Sequence, residues 1–516
     1  MLFNSYPFIF FYLPIVLVCF FYLAKVNNFY AIAWLATASL FFYGWFSPTS
    51  IPLLLFSITC NFYFGRLIKK SNCYKKLILT LSLTFNLLGL AFFKYINFFI
   101  ENINQLDVSF LHITPMDIAL PIGISFFTFT QIAFLVDSYF GHAQENSLIR
   151  YILFVSYFPH LIAGPVLHHK EMMPQFANKI THKISWPNIA IGLSIFFIGL
   201  FKKTVIADNI SQPISAVFSS AANQVDIGFF DAWGTAFSYA LQIYFDFSGY
   251  SDMAIGISLL FGIYLPINFN SPYKSKNIIE FWRRWHITLS RFLKDYLYIP
   301  LGGNKKGHTR RYFNLLITMI LGGFWHGAAW TYLVWGLLHG AYLIINHAWQ
   351  KIMTMIFHDH YVPIRNHWIY STTALITTFL ACTIAWVFFR APNLDSAHHL
   401  IMSMFHMPAI PHEWLVKWGN LGKWLIQQDY VDHQAKPLIK GIHFLWVSLL
   451  LAFVFLAPNT QEIFQKYKIS ISEPTIQTKH TIQWKANNIW LAIMVFVAIF
   501  AILNISELSE FIYFQF

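Results

Sequence analysis

Residues 312–350 read YFNLLITMILGGFWHGAAWTYLVWGLLHGAYLIINHAWQ and contain no Asp, Glu, Lys or Arg. This stretch is long enough for one or two membrane-crossing helices, since each crossing needs about 20 residues. It nevertheless contains His326, in Trp325-His326-Gly327, and His339, thirteen residues later. An ionisable side chain inside a membrane-spanning segment is unfavourable and usually marks function, and histidine can exchange protons near neutral pH. The stretch therefore predicts chemistry inside a membrane.

The rest of the chain has the same apolar character. Of its 516 residues 57% are hydrophobic and 11% are charged, whereas soluble domains carry roughly 25% charged residues. We therefore exclude a soluble enzyme. The prediction is an all-α, multi-pass integral membrane protein, because β-barrel strands would appear as short alternating segments. No internal repeat is evident, so one domain, 1–516, is the simplest division. Roughly ten to thirteen crossings are expected, at residues 7–24, 29–46, 51–68, 77–97, 118–136, 151–167, 186–201, 232–266 (bent or broken), 313–347 (one or two), 371–389, 441–457 and 487–504.

The formal net charge of +12 points to a membrane and not to nucleic acid, because cytoplasmic loops of membrane proteins collect Lys and Arg. Basic clusters occur at 69–76 and at 202–203, and both are expected to face the cytoplasm. The segment 274–311 is the most basic, with ten Lys or Arg against two acidic residues. We expect it to lie on the cytoplasmic face or to dip into the protein from there. Membrane lipid is therefore the predicted partner, and nucleic acid is not.

Within that basic segment an apolar stripe recurs at helical spacing and includes His286, while Arg283 and Arg284 take the other side. The pattern predicts one amphipathic helix with an aromatic underside at the membrane interface. The two arginines are candidates for binding the phosphates of a coenzyme A donor, although lipid headgroups fit them equally well. The segment 390–440 is mixed in charge, and we expect surface helices there and no clear crossing.

The four cysteines show no CxxC or Cys/His spacing, so no metal site is predicted. Residues 301–307 lack the spacing and the Ser or Thr of a Walker loop and indicate a turn. No bound cofactor is expected.

Four stretches together resemble a known family. They are LPIGISFFTF (120–129), FPHLIAGP (158–165), the segment from YFDFSGYSD (244–252) through Asn268 and Pro272 to WRRWHITLS (282–290), and the His326/His339 segment. The chain resembles the membrane-bound O-acyltransferases, specifically the bacterial branch of the alginate O-acetylation membrane protein. The ending FIYFQF (511–516) is also similar to that branch.

The resemblance implies roles for two residues. The invariant histidine of the family falls on His326, and its upstream polar partner falls on His286; both are expected to be catalytic. The chain departs from the family pattern at His160, where glutamine is common, and at 168–169, where an arginine-tyrosine pair is frequent.

The resemblance also implies an activity. It is the transfer of an acetyl group from a cytoplasmic donor, acetyl-CoA, across the bacterial inner membrane toward hydroxyls of an extracytoplasmic polysaccharide resembling alginate. A periplasmic serine-hydrolase-like acetyltransferase is the expected protein partner. Chemically, a neutral imidazole can remove the proton of an attacking hydroxyl, which typically contributes roughly 10²–10⁴-fold in rate.

Several alternatives stay open. In a straight helix His339 would lie ~20 Å from His326, so either the helix breaks near 330–331 or His339 is structural. Asp246 and Asp252 are expected to be a buried pair satisfied by tyrosines and backbone. Other acceptors are peptidoglycan, cellulose, or teichoic acid acylated with D-alanine. From another class, the chain could be a proton-coupled transporter, although no repeated halves are visible.

Overall fold

The computed structural model describes residues 1–106, 113–162, 164–178, 183–305, 307–406, 410–417, 419–427, 431–432, 437–471, 482–505 and 511–512. Over these residues the fold is helical, apart from two strands of two residues each, β1 (Ile410–Pro411) and β2 (Val431–Asp432), which pair in parallel. The predicted all-α fold class is confirmed.

The first part of the chain contains both lipid-facing and interior helices. Exposed apolar side chains recur along the first four helices, whereas 13 of the 16 residues of the sixth are buried. A π-helical turn, Ala91–Tyr95, joins the fourth helix to the fifth. The helices are α1 (Leu13–Val26), α2 (Asn28–Gly44), α3 (Ile51–Lys70), α4 (Lys75–Leu90), α5 (Ile96–Asn104), α6 (Ile124–Tyr139), α7 (Leu148–Ser156), α8 (Phe158–Leu161) and α9 (His169–Ala177).

The middle of the chain builds the centre of the molecule around one long helix. The helices are α10 (Trp186–Phe201), α11 (Asp208–Ala222), α12 (Phe229–Leu260), α13 (Ile278–Arg284), α14 (Ile287–Leu293), α15 (Gly307–His326) and α16 (Trp330–Phe357). In α12, 27 of 32 residues are buried, so it is an interior helix. Within the predicted interval 232–266, α12 is unbroken to Leu260, and the chain leaves the helix at Phe261. The single amphipathic helix predicted around His286 is wrong: it is divided into α13 and α14.

The last part of the chain packs around this centre. Only three short helices and the two strands lie in the interval 390–440, part of which falls outside the described residues. The helices are α17 (Tyr361–Asn366), α18 (Trp368–Arg390), α19 (Leu394–Phe405), α20 (His412–Val416), α21 (Gly419–Gln427), α22 (Gly441–Leu456), α23 (Thr460–Ile463) and α24 (Asn488–Leu503).

Among the residues that the structure describes, five helical stretches are long and apolar enough to cross a membrane. Two shorter apolar helices, α22 and α24, accompany them. The chain is therefore an integral membrane protein, while the larger number of crossings stays a prediction. The five stretches are Phe8–Val26, Pro48–Lys70, Lys75–Asn104, Trp186–Ala222 and Trp368–Arg390.

The basic cluster at 202–203 does not lie in a cytoplasmic loop, contrary to the expectation from charge. Lys203 contacts Asp246 at 2.7 Å, and both side chains are only 2% exposed. Lys202 binds Asp252 at 2.6 Å. The prediction of a cytoplasmic loop from its basic charge is wrong here, because a carboxylate of α12 neutralises each lysine inside the protein. Both aspartates are buried as expected, and Asp246 accepts a backbone hydrogen bond from Ile512, but lysines take the place of the expected tyrosine hydroxyls.

Glycines allow the central helices to touch through their backbones. A Cβ atom placed on Gly199 of α10 would lie 2.6 Å from the carbonyl oxygen of Gly249 on α12. Gly323 of α15 and Gly336 of α16 are in equally close contact across the next helix pair, where a Cβ on Gly336 would overlap the carbonyl of Met319. Small residues at such crossings are typical of membrane helix packing. They place the ends of α15 and α16 directly against each other.

We expect Gly336→Ala to destabilise the protein by about 1–3 kcal/mol, the usual effect of overpacking, because the new methyl group collides with rigid backbone. Thermal unfolding of the detergent-solubilised protein measures it. Gly89→Ala is the matched control, since a Cβ atom there meets no atom within 4 Å. Equal stability of the two variants would contradict the close backbone contact.

Candidate active site

The α15–α16 hairpin brings the two predicted histidines together. The helix ends at His326 and restarts at Trp330, so the break occupies residues 327–329, directly before the predicted position. The ring of Trp335 then contacts both imidazoles, with centroid distances of 5.2 Å to His326 and 4.8 Å to His339. The ~20 Å separation expected of a straight helix does not arise, because the chain reverses direction between them.

His286 approaches the same cluster from a different part of the chain. It lies between α13 and α14 with φ 41° and ψ 55°, the left-handed conformation that few residues other than glycine adopt. This conformation breaks the predicted helix and buries the imidazole completely, edge-on to Phe247 at 4.8 Å. His286 and His339 are both close enough to interact electrostatically with His326. We call His286, His326 and His339 the histidine cluster.

Aromatic rings wall the histidine cluster. His326 contacts Phe389 at 5.1 Å, and His339 contacts Trp282 at 5.2 Å. Within the described part of the chain, neither ring nitrogen of the fully buried His339 has a hydrogen-bond partner. Buried polar groups are nearly always satisfied, so both the structural and the functional interpretation of His339 stay open. The buried tryptophans around the cluster are Trp282, Trp285, Trp325, Trp335 and Trp386.

Asn268 determines which nitrogen of His286 carries the proton. Its Oδ1 accepts hydrogen bonds from the backbone N–H of Thr288 at 3.3 Å and from the Thr288 hydroxyl at 2.9 Å. The same oxygen lies 3.1 Å from Nδ1 of His286. Because Oδ1 can only accept, Nδ1 must be the protonated nitrogen, which leaves a lone pair on Nε2. His286 is therefore oriented as a hydrogen-bond acceptor or base through Nε2.

We expect Asn268→Leu to lower the rate of acyl transfer by roughly 10- to 100-fold, a part of what a well-placed base contributes. The reason is that the variant lacks the hydrogen bond that fixes the tautomer of His286. Asn268→Asp keeps an acceptor oxygen and should retain more activity. The measurement is ester-linked acyl content in a deletion strain complemented with each variant. Asn223→Leu, at an exposed position, is the control. Identical activity of Asn268→Leu and Asn268→Asp would contradict the role of Asn268 in fixing the tautomer of His286.

Hydrogen bonds connect the four stretches that carry the family resemblance in two pairs. Thr288 accepts from the backbone N–H of Val166, the residue directly after 158–165, at 3.0 Å and donates to Asn268. Lys94 donates to Ser125 of the 120–129 stretch and to the carbonyls of Trp325 and His326. The sequence interpretation missed Asn268, Thr288 and Lys94 as site residues. For Lys94 a signal existed, namely a lysine inside an apolar span.

The residues that depart from the family pattern bond outside the cluster. Nε2 of His160 lies 2.9 Å from the carbonyl oxygen of Phe154. Nδ1 of His168 lies 3.0 Å from the hydroxyl of Tyr296, which donates to Asp137. These contacts belong to helix packing and not to the histidine cluster.

The two predicted donor-binding arginines differ in their surroundings. Arg284 is bound to Glu280 at 2.8 Å and to the carbonyl oxygen of Asn270 at 3.1 Å. Arg283 is exposed. Of the two, Arg283 is the more accessible to a phosphate group, and the assignment of both stays a prediction.

The chain is similar to proteins of known class along most of its length. Residues 72–387 match the model of the membrane-bound O-acyltransferase family. A peptidoglycan O-acetyltransferase of Helicobacter pylori is 46% identical over 78% of this chain and 80% of its own length. A probable alginate O-acetylase of Pseudomonas aeruginosa is 40% identical over 78% and 75%. A teichoic acid D-alanyltransferase of Streptococcus thermophilus is 30% identical over 45% and 57%. The predicted family and enzyme class are confirmed: the chain belongs to the membrane-bound O-acyltransferases and is an O-acyltransferase.

Proposed function

We propose that the chain moves an acetyl group from a cytoplasmic donor toward hydroxyls of an extracytoplasmic, alginate-like polysaccharide, with the histidine cluster as the site of transfer. The observation that carries this proposal is the burial of His286 and His326 in one aromatic enclosure although forty residues separate them. Ionisable side chains in such apolar surroundings are rare and usually mark function.

In the proposed reaction His326 takes the proton of the attacking hydroxyl as the oxygen bonds to the acyl carbonyl carbon. The bond between that carbon and the donor's sulfur then breaks, and the thiolate leaving group receives the proton back from His326. His286, with its lone pair on Nε2, orients the acceptor hydroxyl or the imidazole of His326. The aromatic walls exclude water, which would otherwise hydrolyse the acyl group.

The proposed donor is acetyl-CoA, with Arg283 and Arg284 as candidate contacts for its phosphates. The protein is expected to be a multi-pass protein of the bacterial inner membrane, which the five long apolar helical stretches of the described residues support. A periplasmic serine-hydrolase-like acetyltransferase is the proposed partner that passes the acetyl group to the polymer.

Peptidoglycan is the second candidate acceptor. It is favoured by the relative from Helicobacter pylori, whose name specifies peptidoglycan and whose identity to this chain, at 46%, exceeds that of the Pseudomonas aeruginosa alginate relative at 40%. Both acceptors are sugar polymers with free hydroxyls, so the same chemistry at His326 serves either.

The experiment that tests the proposal compares a deletion strain with the same strain complemented by the wild-type gene. Ester-linked acetate is released by mild alkali from purified exopolysaccharide and, separately, from purified peptidoglycan. We expect the deletion to remove acetate from the exopolysaccharide. Loss of acetate from peptidoglycan alone would identify peptidoglycan, and not the exopolysaccharide, as the acceptor. Unchanged acetate in both polymers would contradict acetyl transfer to a surface polymer.

A further inference from the structure

Lys94 is a lysine inside the apolar stretch Lys75–Asn104, and its ammonium group points at the end of α15. Nζ lies 2.6 Å from the carbonyl oxygen of Trp325, 3.1 Å from that of His326 and 3.2 Å from the hydroxyl of Ser125. These three acceptors use all three N–H donors of an ammonium group. Over the residues that the structure describes, no carboxylate forms an ion pair with Lys94.

The neighbouring residue, Tyr95, completes the same contact. Its hydroxyl donates to the carbonyl oxygen of Phe324 at 2.8 Å, and its ring stacks on that of Phe324 at 4.3 Å. The last carbonyls of a helix have no partner within the helix, and they carry the negative end of its dipole, where a cation is favoured. Lys94 and Tyr95 thus satisfy the three final carbonyls of α15, including that of His326.

The local backbone around Lys94 explains how two adjacent side chains reach one helix end. Adjacent residues of an α-helix point about 100° apart at 3.6 residues per turn. Ala91–Tyr95 instead forms a π-helical turn, which is wider and brings the two side chains closer in direction. Such turns are rare and occur frequently at functional sites.

We propose that Lys94, assisted by Tyr95, is a positioning residue for His326. It clamps the end of α15 through the carbonyl oxygens of Trp325 and His326 and thereby fixes the direction of the imidazole. A lysine in an apolar span is otherwise difficult to account for. This inference rests on the proposed role of His326 in acyl transfer.

The test uses Lys94→Met, which keeps the length of the side chain and removes its charge and donors. Variants of the full chain are compared in the deletion strain at matched membrane abundance. We expect acetyl ester content formed per unit time to fall at least tenfold, with an unchanged unfolding temperature. Lys94→Arg, which keeps the charge, should restore part of the activity, and Tyr95→Phe should lose less than Lys94→Met. Lys75→Met, whose side chain lies over the ring of Tyr139, is the control for loss of a lysine.

Hydrogen exchange separates positioning from a general effect on folding. In the purified Lys94→Met protein, backbone exchange should rise at 324–330 and stay unchanged elsewhere. Wild-type activity of Lys94→Met alongside an inactive His326→Ala overturns the positioning role alone. Global loss of stability that Lys94→Arg does not repair makes Lys94 a folding residue and also overturns it. Wild-type activity of His326→Ala instead overturns the proposed function.

Discussion

Replacing His326 by alanine should lower the rate of acetyl transfer by roughly 10²–10⁴-fold, the contribution of a positioned general base. The variant protein should still fold. The side chain is 3% exposed at the end of α15, and its removal leaves the hydrogen bonds of Lys94 to the backbone intact. His326→Gln tests the same point with a side chain that keeps polar contacts but cannot act as a base.

The measurement is the acetyl ester content of the surface polymers at equal membrane abundance of each variant. His142→Ala, at an exposed position, is the matched control for loss of a histidine. Residual activity of His326→Gln near that of wild type would exclude general base catalysis by this residue.

Asp246→Ala should destabilise the protein by about 3–5 kcal/mol, the usual consequence of removing one partner of a buried ion pair. Lys203 would retain Asp208, at 2.9 Å, as its remaining carboxylate in the described part of the chain. The ammonium group is 2% exposed and cannot turn to water without disturbing the contact between α10 and α12.

The unfolding temperature in detergent measures the effect, with Asp226→Ala at an exposed position as control. The double variant Lys203→Leu with Asp246→Leu should be more stable than either single variant, because both partners of the fully buried pair are removed and the carboxylate that loses Lys203, Asp208, is 21% exposed. An unfolding temperature of Asp246→Ala equal to that of wild type would show that Lys203 is satisfied without Asp246.

Local sequence patterns correctly predicted the apolar helices whose position depends little on packing against other helices. The apolar spans near 371–389, 441–457 and 487–504 agree with α18, α22 and α24 within a few residues, since a lipid-facing helix is determined by its own length and hydropathy. The pattern failed around His286 and at Lys202 and Lys203. These residues are surrounded by other protein, so charge and hydrophobic periodicity there do not indicate contact with water or lipid.

The sequence likewise predicted one part of the candidate site and missed another. The residue types and the family resemblance identified His326 and His286, because an imidazole in an apolar stretch stands out in any sequence. Asn268 and Lys94 escaped notice as site residues, because their roles depend on partners 18 and more than 230 positions away.

The sequence by itself determined that this chain is an all-helical membrane protein of the O-acyltransferase family, and it predicted that two histidines are catalytic. These properties follow from composition and from motifs, both of which are local. Only the tertiary structure decided that three histidines share one aromatic enclosure, that Asn268 sets the tautomer of His286 and that Lys94 and Tyr95 cap the helix carrying His326. Hydrogen bonds and ion pairs between distant segments depend on how the helices pack, and no local pattern encodes that packing.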